Sequence, residues 1–271
     1  MKPRHFIATK PVVVFLVFLV AGIQGCATAP QAPEEPSSEA KALRRLGEAY
    51  SQQGDYTSAL RYYLEAEKMA PNDHVLQFNL GDTYIHKKLF DKAIVHLQKA
   101  IALKPDYSSA RNSLGNAYIL NKEYDKAIAT LKALIDDESF SIYATPHYPK
   151  TNLGWAYYFK GQYPEAEESF LSALQFYEDG LPKDMTYLRI LRGLGLTYLA
   201  EDRPEDAIQY LEKATAVKEY TGQVIYMDLA RAYQEKGDTA AARLVYQKVI
   251  DINPATEYAT EAREKLQFLR P

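Results

Sequence analysis

From Ala40 onward the apolar and small residues recur as a block. The pattern is a leucine, then a small residue, then a tyrosine three positions further on. It occurs as Leu46-Gly47-x-x-Tyr50, Leu80-Gly81-x-x-Tyr84 and Leu114-Gly115-x-x-Tyr118, each glycine 34 residues after the last. Three more copies follow: Leu153-Gly154-x-x-Tyr157, Leu194-Gly195-x-x-Tyr198 and Leu229-Ala230-x-x-Tyr233. Twelve residues after each small residue stands an alanine: Ala59, Ala93, Ala127, Ala166, Ala207 and Ala242. Residues three and four apart share a helix face, so each block predicts a helix that buries Leu and Tyr. A second helix carries the alanine, and the turn between them is marked by Gln53-Gly54-Asp55-Tyr56 or Lys160-Gly161-Gln162-Tyr163. Glycine suits such a turn because it reaches positive φ without a steric penalty. Pro71, Pro105 and Pro254 close the first, second and sixth blocks. The small residues let paired helices approach closely, while Leu and Tyr fill the space between blocks.

This signature and its period resemble the tetratricopeptide repeat (TPR) family. The resemblance covers Ala40 to about Tyr258. It implies an all-α, right-handed TPR superhelical solenoid of about six helix-turn-helix repeats plus a C-terminal capping helix. The repeats are 40–73, 74–107, 108–141, 147–180, 188–221 and 223–256, within a domain of 40–258. One repeat cannot bury its own apolar face, so at least about three must stack. Two stretches lengthen the turns between units, Ile142 to Pro146 and Leu181 to Tyr187. After the last repeat, Ala259, Ala262, Leu266 and Leu269 fall at helical spacing. Segment 257–271 is therefore expected to cap the array.

The N-terminus follows a different pattern. Lys2, Arg4 and Lys10 precede an apolar run of 12 residues from Val12 to Ile23. A spanning helix needs about 20 apolar residues, so this run predicts a signal peptide over 1–25. It ends in Ile23-Gln24-Gly25-Cys26, which resembles a bacterial lipobox, with Gln24 departing from the usual small residue. Cys26 is the only cysteine, so it has no internal disulfide partner. The resemblance implies lipidation of Cys26 and, because Ala27 follows, sorting to the outer membrane of a Gram-negative cell with the domain in the periplasm. The other reading is an ordinary cleaved signal with an incidental cysteine. Residues 26–39 are rich in Pro, Ala, Glu and Ser and predict a flexible tether.

Charge and chemistry narrow the function. The chain carries 32 Lys and Arg against 35 Asp and Glu. Without the three cations of the signal region the balance is 29 to 35, near -6. Phosphate backbones need clustered cations, so no nucleic-acid partner is expected. The histidines His5, His74, His86, His96 and His147 have no zinc-type spacing. Phosphate-loop, dinucleotide and nucleophile-elbow motifs are absent from the sequence. The expectation is a non-catalytic protein with no cofactor, no metal and no small-molecule substrate.

In TPR arrays the first helix of each unit lines the concave face. Residues three before, one after, four after and five after each glycine should face it. Repeat two then offers Phe78, Asp82, Ile85 and His86; repeat three, Asn112, Asn116, Ile119 and Leu120; repeat four, Thr151, Trp155, Tyr158 and Phe159. Repeat one offers the polar set Arg44, Glu48, Ser51 and Gln52. The centre of the groove is thus apolar and aromatic with amides, as at protein-binding sites. Asn112 and Asn116 can bond an extended peptide because amides both donate and accept. The aromatic residues fit a core role equally well. The Lys and Asn clamp of chaperone-binding TPRs is not expected, because Arg44 and Glu48 occupy the corresponding pair.

Six TPRs on a lipobox signal resemble the type IV pilus biogenesis lipoproteins, the pilotin family. The stretch from Leu134 to Gly161 adds to this, with Tyr143-x-x-Pro146, then Asn152-Leu153-Gly154 and Gly161. Repeat three departs, reading Arg111-Asn112-Ser113-Leu114-Gly115 where many members have Asn-Asn-Tyr-Gly. The resemblance implies a scaffold that binds secretin subunits and carries them to the outer membrane for assembly. The alternative is a general cell-envelope adaptor recruiting peptidoglycan hydrolases, proteases or export components.

Overall fold

The structure, a computed structural model, describes residues 35–137, 145–178, 180–217 and 222–269. The signal region, Cys26, most of the tether, and Tyr143 in the first interruption lie outside them. The described residues hold thirteen α-helices. They are α1 Ser38–Gln52, α2 Tyr56–Met69, α3 His74–His86, α4 Phe90–Leu103, α5 Ser108–Leu120, α6 Tyr124–Ile135, α7 His147–Lys160, α8 Tyr163–Glu178, α9 Met185–Ala200, α10 Pro204–Thr215, α11 Gln223–Glu235, α12 Thr239–Ile252 and α13 Glu257–Phe268.

Local chemistry fixes the helix ends. Ser37, Asp55, Asp73, Asp184, Asp238 and Thr256 each accept a backbone N–H from the first turn of the helix that follows. Such caps satisfy N–H groups that have no partner within the helix. The turn inside each unit places one residue in the left-handed region, seven residues after the reference small residue. Gly54, Gly161 and Gly237 do this with φ of 79°, 80° and 84°, and Lys88, Lys122 and Asp202 do it with 58°, 63° and 58°. The turn geometry is therefore common to all six units, although only three of them supply the residue that adopts it freely.

Each helix packs on the next, and the odd-numbered helices also pack on one another, from α1 against α3 through to α11 against α13. The even-numbered helices make no comparable contact with each other. The array therefore curves with odd helices on its inner face and even helices splayed on its outer face. This is the all-α helix-turn-helix solenoid that the sequence predicts, and α13 packs on α11 and α12 as one further inner helix.

The reference glycines lie against large residues of the second helix. Phe170 of α8 shows the arrangement best. A β-carbon on Gly154 would sit 2.7 Å from its ring, and one on Gly193 would sit 2.5 Å away. The ring is completely buried, and Trp155 meets it edge-on at 5.4 Å. Phe170 is thus wedged between α7 and α9, joining repeats four and five. Helix α9 starts at Met185, so residues 185–187, which the sequence pattern assigns to a connecting turn, form its first turn. Asp184 makes this possible by capping Thr186 and Tyr187 while accepting from the Tyr177 hydroxyl at 2.7 Å.

Two histidines are enclosed in this packing. His147 is 5% exposed among Tyr148, Phe176 and Tyr177. His96 is bonded through Nδ1 to Gln77. Burial pulls the pKa of both below the ordinary histidine value, against the opposing pull of Asp184 and Glu67 respectively. The unfolded chain then binds more protons than the folded one just below the unfolded value. Their contribution is fully present above about pH 6.5 and is lost as pH falls below it. The melting temperature is expected to drop between about pH 7.5 and about pH 5.5, and to drop less in His147→Phe, which keeps the ring contacts without the titration. An unchanged slope in that variant would remove His147 from the account.

Candidate functional site

The inner face is built from the exposed edges of α1, α3, α5, α7, α9 and α11. A ladder of polar side chains crosses it from helix to helix. Asn79 donates to Glu48 at 2.9 Å, Asn152 donates to Asn112 at 2.9 Å, and Arg189 donates to the Asn152 Oδ1 at 3.2 Å. Arg192 reaches Asp228 at 2.6 Å. Asn79, Asn152 and Asp228 all stand two residues before their reference small residue, and each binds a side chain of the preceding repeat. These rungs join neighbouring units, and Asn152 and Asp228 are buried in making them.

The residues singled out from sequence divide into three groups. Phe78, Asp82, Ile85, Asn112, Asn116 and Tyr158 are partly exposed on the inner face, as expected of groove residues. Phe78 leans on Tyr107 with ring centroids 5.2 Å apart. Asn112 is engaged with Asn152, whereas the Asn116 side chain has no hydrogen-bond partner among the described residues. The Tyr158 hydroxyl lies within the fields of Arg231, Asp228 and Arg192, and burial raises its pKa.

Thr151 and Ile119 require correction. Thr151 is fully buried and its hydroxyl is turned back to the His147 carbonyl at 2.7 Å, so it presents nothing to a partner. Ile119 is 7% exposed and belongs to the core. Both occupy template positions, but α5 and α7 pack tightly enough at these points to enclose the side chains.

Trp155 falls between the groups. It is 8% exposed, packed on Phe170, Tyr158 and Phe159, and its indole N–H is buried with no acceptor. Phe159 beside it is 48% exposed and stacks on Tyr124 of α6 at 5.8 Å.

The ends of the groove differ in charge. At the N-terminal end Arg44 is paired with Asp73 at 3.3 Å and Glu48 at 3.6 Å, so it is not available for a terminal carboxylate. Asp82 is partly exposed, and loss of hydration raises its pKa, opposed by His86 at 3.7 Å. At the C-terminal end stand Arg189, Arg192 and Arg231, residues outside the sequence expectation. Burial likewise raises the pKa of Asp228, opposed by Arg192. Arg192 stands three residues before Gly195 and Arg231 one after Ala230, offsets that mark groove positions, whereas Arg189, six before Gly195, follows no such offset.

A cleft among the described residues lies elsewhere. It has a volume of about 630 Å³ and runs between α12 and α13, lined by Thr239, Ala240, Arg243, Leu244, Gln247 and Leu266. It shares no residue with the inner face. Among the described residues no three His, Cys, Asp or Glu side chains gather into a metal-binding group, and no helix is long and apolar enough to cross a membrane.

Sequence profiles of the tetratricopeptide repeat match residues 44–108, 87–145, 148–219 and 224–256. The chain is a tetratricopeptide-repeat protein. The TPR array resembles the solved structure of PilW, a widely conserved type IV pilus biogenesis factor. That match has 20% identity and a TM-score of 0.73, and covers 86% of this chain and 99% of PilW. PilF of Pseudomonas aeruginosa matches at 17% identity and TM-score 0.65, over 84% of this chain and 97% of PilF. A chain of the APC/C hetero-tetramer Cut9–Hcn1 matches at 16% identity and TM-score 0.72, over 86% of this chain and 43% of that one. At these identities the likeness establishes the TPR fold. No curated protein matches by sequence. A TPR array with a partly exposed inner groove is a protein-binding scaffold.

Proposed function

We propose that this TPR protein is a lipid-anchored scaffold of the outer membrane that acts as a type IV pilus pilotin, binding secretin subunits in its groove and delivering them for assembly. The observation that carries this reading is the end-to-end correspondence with PilW, which leaves almost nothing of that pilus factor unmatched. PilF corresponds over a similar span. The lipobox ending in Cys26 supports the anchor, and two buried acyl chains already suffice for stable attachment. The mechanism is tethering: the anchor keeps the bound subunit beside its target bilayer and raises its effective concentration there. The groove covers apolar or unpaired-strand segments that would otherwise associate wrongly before the ring closes.

The test is an unheated gel of outer-membrane fractions, probed for the secretin multimer in cells with and without this protein. Loss of the multimer, with monomer accumulating elsewhere, is the expected result, and Cys26→Ala should reproduce it by releasing the protein from the membrane fraction. An unchanged multimer in the outer membrane would overturn the pilotin reading and leave the general envelope adaptor.

A further inference from the structure

We propose that the inner face formed by α7 and α9 recognises an Asp or Glu side chain of an extended partner segment, seated on the guanidinium of Arg189. This rests on the reading of the groove as a protein-binding surface and names the chemistry of what occupies it.

Arg189 differs from the guanidiniums around it. Arg44 faces Asp73 and Glu48, Arg111 faces Asp137, Arg192 faces Asp228 and Arg231 faces Glu235. Arg189 has only the Asn152 amide oxygen, at 3.2 Å, and no carboxylate of the described residues lies within ion-pair distance. Its side chain is open to solvent, yet the groove walls surround it closely enough that loss of hydration depresses its pKa. A solvent-accessible guanidinium with no carboxylate of the described residues paired to it favours an incoming anion. Guanidinium presents five N–H donors in a planar fork suited to a carboxylate, and one neutral bond to Asn152 leaves most of them available.

The surroundings point to a protein segment carrying that carboxylate. Asn152, the partner of Arg189, is one helical turn from Trp155, whose buried N–H has no acceptor. Through Asn112 the same rung reaches α5, where Asn116, one turn on, has no side-chain partner. Residues three or four apart on a helix lie about 5–6 Å from each other. One small stretch of groove therefore offers a guanidinium with one neutral partner and an unengaged amide, beside an indole ring whose N–H is enclosed. Donors exceed acceptors there. An extended backbone supplies carbonyl acceptors at regular intervals, and an acidic side chain supplies the anion. Tyr158 and the half-exposed ring of Phe159 give an apolar seat beside them.

The experiment pans a phage-displayed random-peptide library on the full chain in detergent. Selected sequences are remade as C-terminally amidated, fluorescein-labelled peptides, so that only side-chain carboxylates remain. Binding is read by anisotropy and by the emission of Trp155, the single tryptophan of the chain. The selected peptides are expected to share an Asp or Glu, and its change to Asn or Gln should weaken binding by about tenfold to a hundredfold. Arg189→Gln should bring the acidic and amide peptides to equal affinity, and Arg189→Lys should restore part of the preference, with thermal melts unchanged in both. Peptides that shift Trp155 emission but bind wild type equally with or without the acid would overturn this proposal and leave the groove intact. Peptides that bind without changing Trp155 emission, and indifferently to Asn116→Ala and Arg189→Gln, would overturn the groove and this proposal together.

Discussion

Phe170→Ala is expected to destabilise the array by about 3–5 kcal/mol and to make its unfolding visibly less cooperative. The size of the loss follows from the packing. The ring is completely buried and fills the space that Gly154 and Gly193 leave open on two different inner helices. Truncation opens a void between α7, α8 and α9, where the ring lies against helix backbone at two glycines and against the edge of Trp155. The lost transfer free energy and the cavity then add. The change in cooperativity follows from topology. A solenoid is stabilised by its units and by nearest-neighbour interfaces, so weakening one interface uncouples the segments on either side. Urea unfolding followed by circular dichroism should broaden or split. Trp155, 5.4 Å from the Phe170 ring, should shift its emission before the main loss of helix. Leu64→Ala, at a position 37% exposed, serves as the control and should cost well under about 1 kcal/mol. A loss below about 1 kcal/mol at Phe170 would show that the helices close over the void and that the wedge is dispensable.

The repeat pattern made this wedge partly visible. Gly154 and Ala166 belong to the signature, and the recurrent small residue is what lets α7 approach α8. The recurrent positions are legible because a template repeated six times separates constraint from accident. Even where the sequence substitutes Lys88, Lys122 or Asp202 for glycine, the turn keeps its left-handed residue, because the contacts of the flanking helices hold it there. The start of α9 was not legible in the same way. Residues 185–187 precede the repeat register, and they join the helix because Asp184 caps it from within the lengthened connection.

The groove was legible in outline only. Template offsets, which follow from helix geometry, select Phe78, Asp82, Asn112, Asn116 and Tyr158, all of them partly exposed. They failed at Thr151 and Ile119, where the closeness of neighbouring helices decides exposure and no spacing rule reports it. They also passed over Asn79, Asn152 and Asp228, whose side chains reach back to the previous repeat. Such contacts depend on how successive units are rotated, which emerges only when they stack. Arg189, six residues before its glycine, is brought into play by that rotation.

Gln77→Leu is the second large effect, with an expected loss of about 2–4 kcal/mol. Gln77 is fully buried in α3, four residues before Gly81. Its amide nitrogen donates to Glu67 at 2.9 Å and to the Pro71 carbonyl at 2.9 Å, and its oxygen lies 2.8 Å from His96 Nδ1. With both amide protons committed, the oxygen can only accept, so the network assigns the proton of neutral His96 to Nδ1. One side chain therefore ties the end of α2, the loop after it and α4 into the second repeat. Leucine fills nearly the same volume, so the loss comes from three polar groups deprived of a partner rather than from a cavity. Glu67 and His96 are partly exposed and can recover some hydration, which keeps the estimate below the sum of three fully buried losses. The equivalent positions in other repeats hold Leu43, Arg111, Lys150, Leu191 and Tyr226, so the template carries no trace of this role. The double variant with His96→Phe distinguishes the network from simple packing. If the hydrogen bonds act together, the double variant should lose less than the sum of the single losses, by about 1 kcal/mol, because one unsatisfied group has been removed. Strict additivity in chemical denaturation would mean that His96 and Gln77 stabilise the repeat independently and that the bond between them contributes nothing.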